Sequence, residues 1–276
     1  APPTGAALIT VLPTAGVLMI DVVTAAFAVL PLLFIALPEP ERARDAAQQQ
    51  PTSYWQDLRE GLRYVASWPG LLGLGLIAVL INFLLAPVGS LMPLLVTRHF
   101  GLGALELGLT DTLWGVGMIL GGLLLGAWGG FKRRIATSLL GIVGIGISTI
   151  LVGLAPANLF WLALTGMALS GVTQVLANGP LEAIMQSIVR PEMQGRVMAL
   201  LGSVATAMMP LSLALAGPFS DAFGIRAWYW LGGGLSLLMG LAGFFVPAIM
   251  NIETNHRDAA SPAPDSSSAA EAAVCD

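Results

Sequence analysis

The 276-residue chain is 56% hydrophobic and 10% charged, with a mean hydropathy of +0.81 and a formal net charge of −4. A soluble domain carries roughly 25% charged residues, so a water-soluble globular fold is excluded. The net charge says little about partners, because Glu253, Asp258, Asp265, Glu271 and Asp276 sit in the C-terminal tail, and no nucleic-acid partner is expected. One cysteine, Cys275, and two histidines, His99 and His256, exclude an intramolecular disulfide and a cysteine or histidine metal cluster.

The opening is uncharged but broken by Pro2, Pro3 and Pro13, and residues 4–12 read as the end of a helix whose start is missing. The first residue is Ala and no charged segment precedes the first apolar run. This reads as a fragment and not as a signal peptide. Residues 13–37 make a full span with Asp21 inside it. About 20 apolar residues cover the hydrocarbon core of a bilayer.

Residues 38–68 are hydrophilic, and 39–50 read as a flexible linker. From Ser53 the pattern changes. Ser53 can cap a helix with Gln56 three residues on, and Trp55, Leu58, Leu62 and Val65 then fall on one face beside Arg59 and Arg63. This predicts an amphipathic helix on the membrane surface, against the plainer reading of a solvated linker helix.

Pro69–Val96 is the next span, interrupted by Asn82 and Pro87. Leu107–Trp128 follows, with Asp111 inside it. Gly117-xxx-Gly121 and Gly122-xxx-Gly126 on this span place small residues one turn apart, which lets helices approach closely in lipid. The turn Gly126-Ala-Trp-Gly-Gly-Phe-Lys-Arg-Arg then groups three cations, including Lys132, the only lysine. After it, Ile135 to Leu181 is a 47-residue uncharged run. As one helix it would be ~70 Å long, more than twice the hydrocarbon thickness. It must fold back, and Ala155-Pro156-Ala157-Asn158 is the expected turn, giving spans 135–154 and 158–179. Residues 180–190 are expected to leave the membrane as a short amphipathic piece, followed by spans 197–220 and 227–252. The tail from residue 253 is rich in Ala, Ser, Pro and Asp and is expected to be disordered.

Seven full spans result, and alternation tests the count. With the Lys132–Arg134 turn inside, ten basic residues fall inside: Arg42, Arg44, Arg59, Arg63, Lys132, Arg133, Arg134, Arg190, Arg196 and Arg257. Two, Arg98 and Arg226, fall outside. This is the positive-inside bias of a plasma-membrane protein. It places the loops 38–68, 130–134 and 190–196 and the C-terminus in the cytoplasm.

At these residues the chain resembles the C-terminal half of a major facilitator superfamily transporter, and within it the drug:proton antiporter group that includes macrolide-efflux proteins. Trp128-Gly-Gly-Phe-Lys-Arg-Arg-Ile is similar to that group's turn between helices 8 and 9. Pro191-Glu-Met-Gln-Gly-Arg-Val is similar to its turn between helices 10 and 11. Ile20-Asp-Val-Val-Thr-Ala and Leu37-Pro-Glu-Pro resemble the start and exit of its helix 6. Ala1-Pro-Pro-Thr-Gly-Ala resembles the end of the helix 5 motif Gly-Pro-x-x-Gly-Gly, with alanine at positions 1 and 6. One departure is Gly130, where the superfamily's cytoplasmic signature usually has Asp. A Gly-xxx-Asp-xx-Gly pattern does occur at Gly217, Asp221 and Gly224, on the side that alternation places outside. The resemblance implies an all-α polytopic fold: a remnant of helix 5 (1–12), helix 6 (13–37), a linker (38–68), a six-helix bundle (69–252) and a tail (253–276).

The resemblance further implies a solute cavity lined by helices 1, 4, 7 and 10, of which 7 and 10 are expected here. Their polar residues are Asn82 and Ser90, then Thr165, Ser170, Thr173, Gln174 and Asn178. Gln174 and Asn178 share a helix face at i, i+4. Asn82, Thr173, Gln174 and Asn178 are the cavity candidates, with interhelical hydrogen bonding as the alternative. Met208 and Met209 suit an adaptable pocket or ordinary core filling.

A carboxylate inside a span is costly and therefore a functional candidate. Asp111 and Asp21 are the candidates for proton coupling; the plain alternative is a hydrogen-bonded or wet position near the outer interface. Glu182, near Arg190 and Arg196, reads as a gating or a simply solvated acid. Lys132, Arg133 and Arg134 either anchor the topology or pair with acids across an inner mouth.

Enzyme readings fail on composition. A retinal Schiff base needs a lysine within a span, and an intramembrane serine protease needs a histidine there. A Gly-xxxx-Gly-Lys-[Ser/Thr] phosphate loop is missing from the sequence. No metal or cofactor is expected. The expected partners are the lipid bilayer, a small hydrophobic solute, protons and the missing N-terminal half of the same transporter. Proton-coupled efflux of a hydrophobic, drug-like solute such as a macrolide is the expected function. A siderophore or lipid exporter, or a truncated membrane protein with a structural or interaction role, stays open.

Overall fold

The computed structural model describes residues 54–189 and 191–253, together with helical positions 16, 19 and 22–27. The readings made for residues 1–12, for most of 13–37 including Asp21, for 38–53, for Arg190 and for the tail beyond Glu253 lie outside the described residues.

Among the described residues all regular structure is helical. It comprises α1 (Tyr54–Ala66), α2 (Pro69–Leu94), α3 (Ala104–Trp128), α4 (Arg134–Leu154), α5 (Phe160–Ile188), α6 (Pro191–Phe223), α7 (Ile225–Phe245) and α8 (Pro247–Met250). A π-helical turn, Leu95–His99, prolongs α2. Six of these helices are long and apolar enough to cross a membrane. The chain is thus an all-α polytopic membrane protein. Helix is what such a sequence must form, because a backbone in hydrocarbon has to satisfy its hydrogen bonds within the segment.

The span ends follow local chemistry. Glu106 accepts a hydrogen bond from the Gly103 N–H at 3.0 Å and closes the start of α3. Gly129, at φ 76°, terminates α3 in the left-handed conformation that glycine adopts without penalty. Gly130, at φ 77°, continues the reversal, and the Phe131 N–H donates to Thr137 Oγ1 at 2.9 Å. The break before Phe160 falls at the expected Ala155–Asn158 turn.

Three boundaries differ from expectation. Helix α5 does not end at residue 179 but runs through Pro180 to Ile188. Proline removes one backbone donor, yet Ile184, Met185 and Ile188 beyond it are buried in the core, and that packing holds the helix on course. Residues 191–196, expected as loop, form the first turns of α6, with Pro191 at the position where a missing N–H costs nothing. The last span is interrupted at Val246, where Pro247 starts the short α8.

In space the helices follow the order α3, α5, α4, α7, α2, α6, with α1 against α6 and α2. Helix α4 is the centre. Gly141 abuts Ala177 of α5, while Gly146 abuts Gly233 and Leu237 of α7. A Cβ at either glycine would meet neighbouring backbone, so both contacts require glycine. Two buried clusters mark the two ends of the bundle. One gathers Leu71, Ile135, Ile184, Val197 and Ile249 with Val65 of α1. The other gathers Leu95, Val96, Phe100, Ala155, Trp228 and Tyr229. Helix α1 therefore docks on the bundle through Val65 and leaves Arg59, Leu62 and Arg63 exposed.

Candidate functional site

A cavity of about 290 Å³ lies between α2, α4 and α5. Its walls are mainly aliphatic: Leu74, Ile77 and Ile81 from α2, Ile135, Leu139 and Ile142 from α4, and Ala177 and Leu181 from α5. Four polar residues break that surface: Asn82, Ser138, Gln174 and Asn178. Among the described residues, no charged residue lines it. An apolar cavity with a few convergent polar groups is the usual form of a small-molecule site. This one can bind and orient a solute, but it holds no acid, base or nucleophile to transform one.

Three of the four sequence candidates thus meet in one cavity. The Asn82 Nδ2 donates to the Ala78 carbonyl at 2.9 Å, and the Asn178 Nδ2 donates to the Gln174 carbonyl at 3.2 Å. Each amide spends one N–H on its own helix and keeps its carbonyl oxygen for another donor. Thr173 goes elsewhere. It is buried, its hydroxyl donates to Leu169 O at 2.9 Å, and its side chain fills the space over Gly144 of α4. That position is structural packing between α4 and α5, and Thr173 does not line the cavity. Ser90 and Thr165 likewise donate to their own helices. Met208 and Met209 lie on α6, outside the cavity lining.

The cavity is held open by its surroundings. Pro87 and Pro93 interrupt the hydrogen-bond ladder of α2. Beside the first break, Trp228 Nε1 donates to Leu84 O at 3.0 Å and the Tyr229 hydroxyl to Val88 O at 2.8 Å. Helix α7 thereby fixes α2 against the bundle on the flank away from α5.

Charged residues gather at the two ends. Lys132, Arg133 and Arg134 are exposed in the turn between α3 and α4. Arg196 pairs with Glu60 of α1 at 2.8 Å, and not with Glu182, which is exposed on α5. The reason is geometric: α1 lies against the Arg196 backbone at Gly61, which brings Glu60 within reach. Gln194 ties the same corner together, its Nε2 donating to Gln186 O at 2.8 Å. At the opposite end, Arg226 donates through Nε to Gly153 O at 2.7 Å, and His99 Nε2 lies 3.0 Å from Ala155 O. These two side chains satisfy carbonyls that the end of α4 leaves without intrahelical donors.

Asp111 is exposed on α3, with no hydrogen bond or ion pair among the described residues. Gly115 and Gly122, which follow on its face, have open space where a side chain would be. Asp111 does not line the cavity. Asp221 is exposed near the end of α6, and its Gly217 also faces open space.

Ser138 is the cavity residue that sequence reading did not single out. It is 1% exposed, and its hydroxyl has no hydrogen-bond partner. The one available signal was a lone serine on the Ile135, Leu139, Ile142 stripe of α4. Helix α4 is packed on several sides, so no polar face marked that stripe as special.

The sequence profile described as Major Facilitator Superfamily matches residues 71–271. Among curated proteins, the chain is 29% identical over 225 residues to macrolide efflux protein A of Streptococcus pyogenes, covering 82% of this chain and 55% of that protein. It is 29% identical over 197 residues to the protein of the same name from Enterococcus faecalis, covering 71% of this chain and 60% of that protein. Against the multidrug efflux pump Tap of Mycolicibacterium fortuitum it is 29% identical over 198 residues, covering 70% and 47% respectively. The chain spans about half the length of the curated relatives it matches.

Proposed function

The chain belongs to the major facilitator superfamily, and from that premise we propose that it forms the C-terminal half of a secondary transporter that expels hydrophobic, drug-like solutes such as macrolides in exchange for protons. The observation that carries this reading is the convergence of Asn82, Gln174 and Asn178 on one uncharged, mainly aliphatic cavity. Such a lining suits an amphiphilic solute and has no counter-charge for an ion. The efflux named for the curated relatives supports the direction of transport. Alternating access needs a second bundle rocking against this one, and we assign that part to upstream sequence.

Asp111 is the coupling carboxylate in this reading. It stands on the face of α3 that this bundle leaves open, where a second bundle would enclose it. In the assembled transporter, Asp111→Asn keeps shape and hydrogen-bonding capacity while removing the titration. It should abolish pH-gradient-driven macrolide efflux from vesicles and leave macrolide binding intact. Uphill efflux at the unaltered rate would reject Asp111 and pass the role to Asp21. Efflux that survives collapse of the proton gradient would reject proton coupling altogether.

The inner face of the plasma membrane carries the 130–134 turn, the 38–68 linker and the C-terminus in this proposal. The sorting of basic residues supports it. Ala157 and Lys132 are exposed at opposite ends of α4. Ala157→Cys should react with an impermeant thiol reagent in whole cells, and Lys132→Cys only after permeabilisation. The reverse pattern overturns the orientation.

A further inference from the structure

The cavity contains a hydrogen-bonding group that the fold leaves unused. Buried hydroxyls in membrane helices normally donate to a carbonyl one turn back. Ser148 donates to Ile145 O at 2.9 Å, Thr149 to Ile145 O at 2.8 Å, and Thr173 to Leu169 O at 2.9 Å. Among the described residues, three buried hydroxyls do not: Ser138, Ser220 and Ser236. Of these, Ser138 alone lines the cavity between α2, α4 and α5. A buried hydroxyl without a partner costs free energy, and at a cavity wall a bound molecule can supply what the protein lacks.

The neighbouring groups define what that molecule carries. Asn82 and Asn178 keep their carbonyl oxygens as acceptors, and Gln174 and Ser138 offer donors. Every lining residue is uncharged. A charged group placed here would lose its hydration and gain no counter-ion. The register of the helices puts Ser138 toward the Lys132–Arg134 end. Gly141, one turn further along α4, abuts Ala177, so Ser138 stands one turn toward the basic turn from that crossing.

We propose that Ser138, from the central helix behind the cavity, is a specificity-determining contact. Together with Asn82, Gln174 and Asn178 it makes an uncharged cleft for the neutral, oxygen-bearing part of a solute, such as a lactone, ketone or alcohol. A volume of about 290 Å³ accommodates a ring or a side arm of a large solute, and any charged group of that solute stays outside. The hydroxyl turns between its staggered positions to meet the incoming oxygen. This inference rests on reading the cavity as a solute site of a transporter.

The test uses the full chain in lipid nanodiscs, with Cys275→Ser as background because Cys275 is the only native thiol. Radiolabelled erythronolide B, an uncharged polyhydroxylated macrolactone, is the binding probe. Ser138→Ala should weaken its binding about tenfold, the effect of one lost hydrogen bond in a dry site. Ser236→Ala, equally buried and unpartnered but outside the cavity, should leave it unchanged. In parallel, Ala78→Cys, half-buried in the wall of the same cavity, should react with neutral N-ethylmaleimide and be protected by the macrolactone. A trimethylammonium methanethiosulfonate reagent should react at least about tenfold more slowly, relative to Lys132→Cys, because the cleft excludes charge.

Absence of macrolactone binding to the unaltered chain overturns the proposal, as does equal loss with Ser138→Ala and Ser236→Ala. A thiol at position 78 that neither reagent reaches, or that the cationic reagent reaches as readily, overturns it as well. Failure of the transport reading looks different. There, binding depends on Ser138 but the assembled transporter moves no macrolide. If transport persists and Ser138→Ala binds with unaltered affinity, the cleft is wrong and transport stands.

Discussion

Helices α3 and α4 flank the basic turn and look alike as sequence, both glycine-rich and strongly apolar. In the folded chain they have opposite fates. The most apolar stretch of α4 is 61% buried, and that of α3 is 22% buried. Helix α4 carries glycines toward two neighbours, with Gly141 on α5 and Gly146 on α7. Among the described residues, α3 docks chiefly on α5. Its Gly117 meets Ala168 and Gly171, and its Gly121 meets Val172. The second small-residue pair expected to pack, Gly122-xxx-Gly126, meets nothing within 4 Å among the described residues. The carboxylate of Asp111 is on the open side of α3, whereas the cavity wall is built on α4. A close-packed helix can hold a cavity rigid, and a helix with a free face can take up a second surface.

The sharpest way to break this contrast is to enlarge glycines on each helix and measure folded yield in detergent. Gly141→Leu should be the most damaging. Its side chain would run into the Ala177 and Leu176 backbone, which cannot shift without displacing α5. The expected cost exceeds ~3 kcal/mol, the upper range for overpacking. Stable protein from this variant would mean that α4 is not the fixed centre. Gly121→Leu should follow, at about 1–3 kcal/mol, because only one helix pair must separate. Leu124, 48% exposed, supplies the control: Leu124→Ala should lower yield less than Gly121→Leu.

A weaker effect is expected at the join between α7 and α2. Tyr229→Phe removes the hydroxyl that donates to Val88 O and should cost about 1 kcal/mol. The change should appear as a small fall in thermal midpoint. The smallest effect should come from Gly122→Leu, which points into open space and should leave folded yield of this chain unchanged. A large loss there would mean that the outer face of α3 is already occupied within this bundle.

Sequence reading and structure part at similar places for one reason. In lipid the bundle interior and the surroundings are equally apolar, so burial leaves little trace in hydropathy. The composition and the length of apolar runs determined the all-α polytopic class, three of the six spans within a few residues and the sorting of basic residues to the ends. They determined that Gln174 and Asn178 share a face, since that follows from helical spacing alone. They could not tell Gly117-xxx-Gly121 from Gly122-xxx-Gly126, because both satisfy the same spacing and only the docking of α5 selects one. Nor could they see that α5 continues past Pro180, where the buried Ile184 and Ile188 outweigh one lost backbone bond. Thr173 and Ser138 show the same division. As sequence, Thr173 belonged with the polar group on its helix and Ser138 was an isolated hydroxyl in an apolar run. Three-helix packing turned the first against Gly144 and set the second, unpartnered, in the wall of the cavity.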